Sequence, residues 1–136
     1  MFTSKSLLFV LSAFLATTYA APSSLNARKA DVSATIEVCT DANFGGSCVT
    51  IPVVSDQCID FTGGLAFLNE AISSAVIPDG FVCFFFEEFD CADSGSSSGD
   101  EVTLQGGTFP DFEAIQGIFG SPSFNDLASS LSCSPE

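Results

Sequence analysis

The sequence predicts an all-β protein, a β-sandwich of two Greek-key motifs, and three observations carry that prediction. Short runs of β-branched and aromatic residues recur between Gly, Pro, Asn and Asp turn signals. The hexamer Asn69-Glu70-Ala71-Ile72-Ser73-Ser74 returns 56 residues later (125 − 69) as Asn125-Asp126-Leu127-Ala128-Ser129-Ser130, which marks two similar half-chains. The 6 cysteines, Cys39, Cys48, Cys58, Cys83, Cys91 and Cys133, divide evenly between those halves.

Taken in order, residues 1–20 hold Lys5, the apolar run Leu7–Leu15 and the small-residue end Thr18-Tyr19-Ala20. That is the pattern of a secretory signal peptide cleaved after Ala20. The run is too short for a membrane-spanning helix, and no later stretch reaches about 20 apolar residues. The mature chain is expected to be secreted, extracellular and long enough for one domain with a modest core. Segment 21–34 has neither a helical nor a strand period and reads as a flexible arm or short propeptide. Arg28-Lys29 fits a processing site, and an unprocessed tail accounts for the pair equally. One domain is expected over 35–136, its halves falling at about 35–78 and 79–136.

The first half reads as strands at Thr35–Thr40, Cys48–Val54, Cys58–Phe61 and Ala75–Ile77. Pro52 marks its strand as an edge or an end, and Gly45 and Gly46 supply positive φ in the first hairpin. Pro78-Asp79-Gly80 closes the fourth strand. The second half offers Phe81–Phe86, an acidic Gly/Ser-rich hairpin tip over 87–100, Glu101–Leu104, and a tight corner at 106–112. Residues 113–124 form a connection with one helical turn, and Ser129–Cys133 is the last strand. In Phe81–Phe86, the face of Phe84 and Phe86 is expected to point into the core. Phe81, Cys83 and Phe85 then lie on the other face. Either the arm or a loop covers them, or Phe81 and Phe85 form a self-association or partner surface.

Charge and missing residue types exclude whole classes of function. The 3 basic residues are Lys5, Arg28 and Lys29, there is no His, and all 17 acids lie in 31–136. The domain therefore carries a formal charge of −17 (17 acids, no bases), a poor match for nucleic acid or anionic membranes. No Ser-His-Asp or Cys-His arrangement, His-based zinc site or Schiff-base lysine can be assembled. Paired carboxylates, as in glycoside hydrolysis, remain, but no pair is marked out. No enzyme is expected.

Six cysteines in a short secreted chain read as three disulfides with 15 connectivities. The absence of a C-x-x-C pair weakens redox and zinc-ribbon readings. Cys48–Cys58 is the easiest local pairing to draw. The hexamers concentrate carboxylate, amide, hydroxyl and carbonyl oxygens without a nitrogen base or thiol, a hard donor set suited to Ca²⁺.

Over about residues 35–133 the chain resembles the βγ-crystallin family. Cys39-Thr40-Asp41-Ala42-Asn43-Phe44-Gly45-Gly46 looks like that family's aromatic-x-x-x-x-Phe-x-Gly hairpin. Gly107-Thr108-Phe109-Pro110-Asp111-Phe112 looks like its Gly-x-Tyr-Pro-Asp-Leu corner. Both hexamers look like its Asn/Asp-Asn/Asp-x-x-Ser/Thr-Ser calcium motif. Cys39 departs from the family's Tyr or Trp, Cys91 from its Phe, Asp93 from its Gly, and Glu70 from Asn or Asp.

The resemblance implies two calcium sites. Ser73 and Ser129 would bind through hydroxyls, Ala71 and Leu127 through carbonyls, and Glu70 and Asp126 through side-chain oxygens. Asn69 and Asn125 open the motifs, and a hairpin carbonyl of Thr40 or Glu87 from the other Greek key completes each site. Ser74 and Ser130 would be structural. With Asp at its second position, the second hexamer is expected to dominate, so that Ser129→Ala would matter more than Ser73→Ala. A secreted, disulfide-stabilised calcium-binding structural or protective protein follows. The alternatives are an extracellular effector (a protease inhibitor or a killer-toxin-like antimicrobial protein) and, third, a carboxylate-dependent glycoside hydrolase.

Overall fold

A computed structural model describes residues 33–92 and 99–136. The expected signal peptide, most of the expected 21–34 arm with its Arg28-Lys29 pair, Asp93 and most of the second hairpin's tip lie outside the described residues. Among the described residues there are six strands: β1 (Ser33–Asp41), β2 (Gly45–Val54), β3 (Ile59–Asp60), β4 (Ser74–Phe86), β5 (Glu101–Phe109) and β6 (Ser130–Pro135). All described pairings are antiparallel.

The strands expected at 75–77 and 81–86 are one continuous element. Pro78-Asp79-Gly80 bends β4 instead of ending it, and its register against β5 slips between Ile77 and Val82. Ala75–Ile77 pair with 107–109, while Val82–Phe86 pair with 101–105. A Cβ on Gly106, opposite the bend, would lie 2.8 Å from the Pro78 carbonyl oxygen, so glycine lets the two backbones close.

Because β4 and β5 bend together, each serves two layers. One layer runs β2, β1, the first part of β4 and the end of β5. The other runs the start of β5, the rest of β4, β6 and β3. Each half-chain thus lends one strand to the other's layer, which is the paired Greek-key sandwich the repeat predicts. Pro52 sits in β2, which pairs only with β1, so its missing N–H falls on an edge.

Ile36 and Val38 from β1, with Ile51 and Val53 from β2, fill the core from one layer. Cys83, Phe85, Val102, Leu104, Leu131 and Cys133 fill it from the other. The expected phase of 81–86 is therefore reversed. Phe85 is fully buried and Phe81 8% exposed, so neither offers a contact surface. Register gives the reason, since directly paired residues share a face. Cys83 and Phe85 stand opposite Leu104, Val102, Cys133 and Leu131, while Phe84 and Phe86 stand opposite Thr103, Glu101, Ser132 and Ser130. On that outer face the Phe84 and Phe86 rings stack, with centroids 6.5 Å apart.

All six cysteines are bridged, as Cys39–Cys48, Cys58–Cys91 and Cys83–Cys133. The pairing Cys48–Cys58 is not made. Cys48 lies directly opposite Cys39 in the β1–β2 ladder, and β2 then carries the chain roughly 20 Å away (six strand steps of about 3.3 Å) before it turns. Cys83 and Cys133 face each other across β4 and β6, and Cys58–Cys91 joins the half-chains. Peptide mapping without reductant should recover these three links and no alkylated thiol. A Cys48–Cys58 peptide would contradict this register.

Candidate functional site

The two hexamers lie where the half-chains meet, and pseudo-twofold symmetry relates their hydrogen bonds. Ser73 donates its N–H to the Cys39 carbonyl, and Ser129 donates to that of Phe86. Phe112 N–H bonds the Ser73 carbonyl, and Phe61 N–H bonds that of Ser129. Glu70 N–H reaches Ala128 O while Asp126 N–H reaches Ile72 O, so each hexamer's second residue is tied to the other hexamer. Both second residues take left-handed backbone, with φ of 51° at Glu70 and 58° at Asp126. Held conformations of that kind cost of order 1–3 kcal/mol and persist only where the surroundings enforce them.

Behind each hexamer sits a folded hairpin. Ser74 Oγ donates to Asp41 O (2.7 Å) and accepts from Phe44 N–H (3.1 Å). Ser130 Oγ donates to Glu88 O (2.6 Å) and accepts from Cys91 N–H (3.0 Å). The sixth residue of each hexamer therefore pins a hairpin. In the first hairpin Gly46 has φ 69°, but Gly45 is extended at −97°, and the expected second positive φ falls on Asn43 (55°) and Phe44 (58°). Asp90 (60°) and Cys91 (49°) repeat that pair in the second.

The side chains meet crosswise. Ser73 Oγ donates to Asp126 Oδ1 at 3.3 Å, so the hydroxyl of one hexamer faces the carboxylate of the other. Thr40 follows Cys39, whose carbonyl accepts from Ser73 N–H, and its Oγ1 accepts from Ser47 N–H. In the symmetric place Glu70 N–H bonds Ala128 O, beside Ser129, and Ser129 N–H bonds the carbonyl of Phe86, the residue before Glu87. Glu70 is exposed and its carboxylate has no hydrogen-bond partner among the described residues, whereas Glu87 Oε2 accepts from Asp100 N–H (2.7 Å). Asn69 Oδ1 is buried and has no donor among the described residues. Asn125 donates its N–H to Ser123 Oγ, Leu127 packs on the core, and Ala71 is half-buried. A second cluster, Glu37 with Cys39 and Cys48, lies within 4.8 Å, but its sulfurs are bonded to each other and offer no thiolate.

No protein-family model matches the sequence, and no curated protein matches it. Solved structures do. A βγ-crystallin from Ciona intestinalis aligns at 20% identity and TM-score 0.51, over 73% of this chain and 98% of that one. The N-terminal domain of protein S aligns at 18% and 0.53, over 75% and 97%. A βγ-crystallin domain from Flavobacterium johnsoniae aligns at 17% and 0.55, over 74% and 94%. This is the βγ-crystallin fold. A clostrillin double mutant of the same fold, 16% identical at TM-score 0.52, forms a complex with nickel. In this chain two departures from the βγ-crystallin pattern are taken up by disulfides: Cys39 bonds Cys48 beneath the first hairpin, and Cys91 ties the second hairpin to Cys58.

For a hard cation, the residues present fit. The donors are oxygens, Asn69 supplies a buried acceptor without a donor, and Asp126 is exposed at the rim for entry. Sequence reasoning paired each hydroxyl with the carboxylate of its own hexamer, and only the fold reveals the exchange. It also passed over Asp100, 4% exposed, whose carboxylate accepts from the N–H groups of Glu101 (2.8 Å), Phe119 (2.7 Å) and Ser121 (2.7 Å). Burial pushes this carboxyl up. The donors at Phe119, Ser121 and Glu101 outweigh burial and hold it below the ordinary carboxylate range. Its signal in the sequence was one acid among many.

Proposed function

We propose that the chain is a secreted, calcium-binding structural or protective protein in which the ion ties two Greek keys together. The crosswise meeting of Ser73 Oγ with Asp126 Oδ1 carries the reading, supported by the orphaned Asn69 oxygen. Ca²⁺ would be held by Asp126, the Ser73 hydroxyl and the Thr40 carbonyl on one side, and by Glu70, Ser129 and Glu87 on the other. The carbonyls of Ala71 and Leu127 would complete the sites. When bound, the ion supplies a bridge between half-chains in place of the basic residues that 30–136 lacks. Three disulfides suit an oxidising compartment, and residues 1–20 supply an export signal. The 33–136 domain is the working unit, and no catalytic role is proposed.

With one carboxylate per site, affinity belongs with extracellular modules, about 10⁻⁴–10⁻³ M. At about 1 mM Ca²⁺ and a Kd of ~10⁻⁴ M, each site adds about 1.4 kcal/mol, RT ln(11). The crosswise geometry reassigns the stronger site. Asp126 works with Ser73, so Ser73→Ala should remove more calcium-dependent stabilisation than Ser129→Ala. Thermal melts in chelator and in about 10 mM Ca²⁺ (a hundredfold over that Kd) check both points. An unchanged Tm for the parent protein would sink the calcium reading.

A further inference from the structure

The connection between the core phenylalanine and the hexamer differs in length between the halves. Phe61 and Phe112 occupy equivalent places, bonded to Ser129 O and Ser73 O. From Phe61 to Asn69 the chain advances 8 residues (69 − 61), and from Phe112 to Asn125 it advances 13 (125 − 112). The Greek key closes without those extra residues. They form a loop whose ends meet through Phe124 N–H and Ile115 O (2.8 Å), the geometry of a compact Ω-loop.

The loop is held from beneath. Asp100 accepts from Phe119 and Ser121, Ile118 N–H bonds Glu101 O, and Gly117 N–H bonds Ser121 O. A Cβ on Gly117 would come within 2.1 Å of the Asp100 carboxylate, so this close approach requires glycine. A buried carboxylate thus fixes the loop's backbone while its tip turns outward. Ile118 is 55% and Phe119 44% exposed, adjacent and apolar. Apolar side chains on a preordered loop lose little entropy when covered. Exposed Glu113 precedes the loop, and the described residues carry no basic side chain at all.

We infer that the Ile118–Phe119 tip is a docking element for a cationic, amphipathic peptide segment. The segment's apolar face covers the two side chains, and its Lys or Arg residues meet the domain's base-free acidic surface, to which exposed Glu113 belongs. Charge selects this occupant. A second copy would bring two domains of like charge together, and an anionic membrane is repelled in the same way.

The test uses the full disulfide-bonded protein and two synthetic probes of equal length and charge, an amphipathic Lys/Leu peptide and a Lys/Ser peptide. Calorimetry at low salt should show the Lys/Leu peptide binding about tenfold tighter, the effect of partly burying two apolar side chains. Ile118→Ser with Phe119→Ser should erase that preference, while Phe67→Ser, an exposed phenylalanine on the other connection, should keep it. Each single tip variant should lose part of it, which guards against a folding defect in the double variant. Equal binding of both probes, or an unchanged preference in the tip variants, overturns the inference. So does tip-dependent binding to zwitterionic vesicles without discrimination between the peptides, which would make the tip a membrane anchor.

Discussion

Replacing Phe85 by alanine is expected to cost about 3–5 kcal/mol, the range for emptying a buried phenylalanine site. The ring is fully buried, stands between Val102 and Leu131 in the β ladders, and meets Phe112 edge-on at 5.6 Å. Little around it can collapse, because its neighbours are held by β5, β6 and the Cys83–Cys133 bridge. Phe84→Ala, one residue away on the outer face, should cost well under half as much. Urea midpoints of the two variants read the strand's phase directly. A larger loss at Phe84 would reverse the assignment of faces.

Asp100→Asn should cost about 2–4 kcal/mol at neutral pH, because hydrogen bonds to a charged acceptor contribute about 1.5–3 kcal/mol each and the amide keeps part of them. The folded carboxyl titrates below its unfolded value of about 3.9. Its contribution is therefore fully present above that value and is lost as pH falls through the folded pKa. Protonation of the other carboxylates affects parent and variant alike, so the difference between their urea midpoints isolates Asp100. That difference should hold from neutral pH down to about 5 and shrink in stronger acid. A difference that stays constant into strong acid would mean that shape alone, and not charge, holds the loop.

Much of the architecture was legible. Alternation in Thr35–Thr40, the edge proline and the repeated hexamers located strands and symmetry, because those signals are local. The phase of Phe81–Phe86 was misread because all six residues are apolar and no alternation marks a face. The needed signal lay in the partners: Glu101-Val102-Thr103-Leu104 and Ser130-Leu131-Ser132-Cys133 alternate cleanly, and register transmits their parity to β4. The bend at Pro78-Asp79-Gly80 reads locally as a stop, and only pairing with β5 shows the chain continuing. The hexamers gave the candidate ligands, but the exchange of Ser73 and Asp126 between halves is a long-range fact that spacing does not encode. Asp100 escaped notice for the same reason, since its partners at 119 and 121 are about twenty residues away.

The lending of β3 to one layer and the end of β5 to the other governs how this chain must fold. Neither half can complete a layer alone, because β3 finds its partner only in β6 and the first part of β4 must wait for 107–109. A nascent chain that has released only its first half therefore presents β3 and the outer edge of β4 without their partners. Loop closure over long separations precedes the reward, which places such topologies among the slower folders, in the range of about milliseconds to seconds. Until the second half arrives, those open edges are templates for another chain. The same exchange that makes the finished domain cooperative leaves its half-made form most exposed to mispairing.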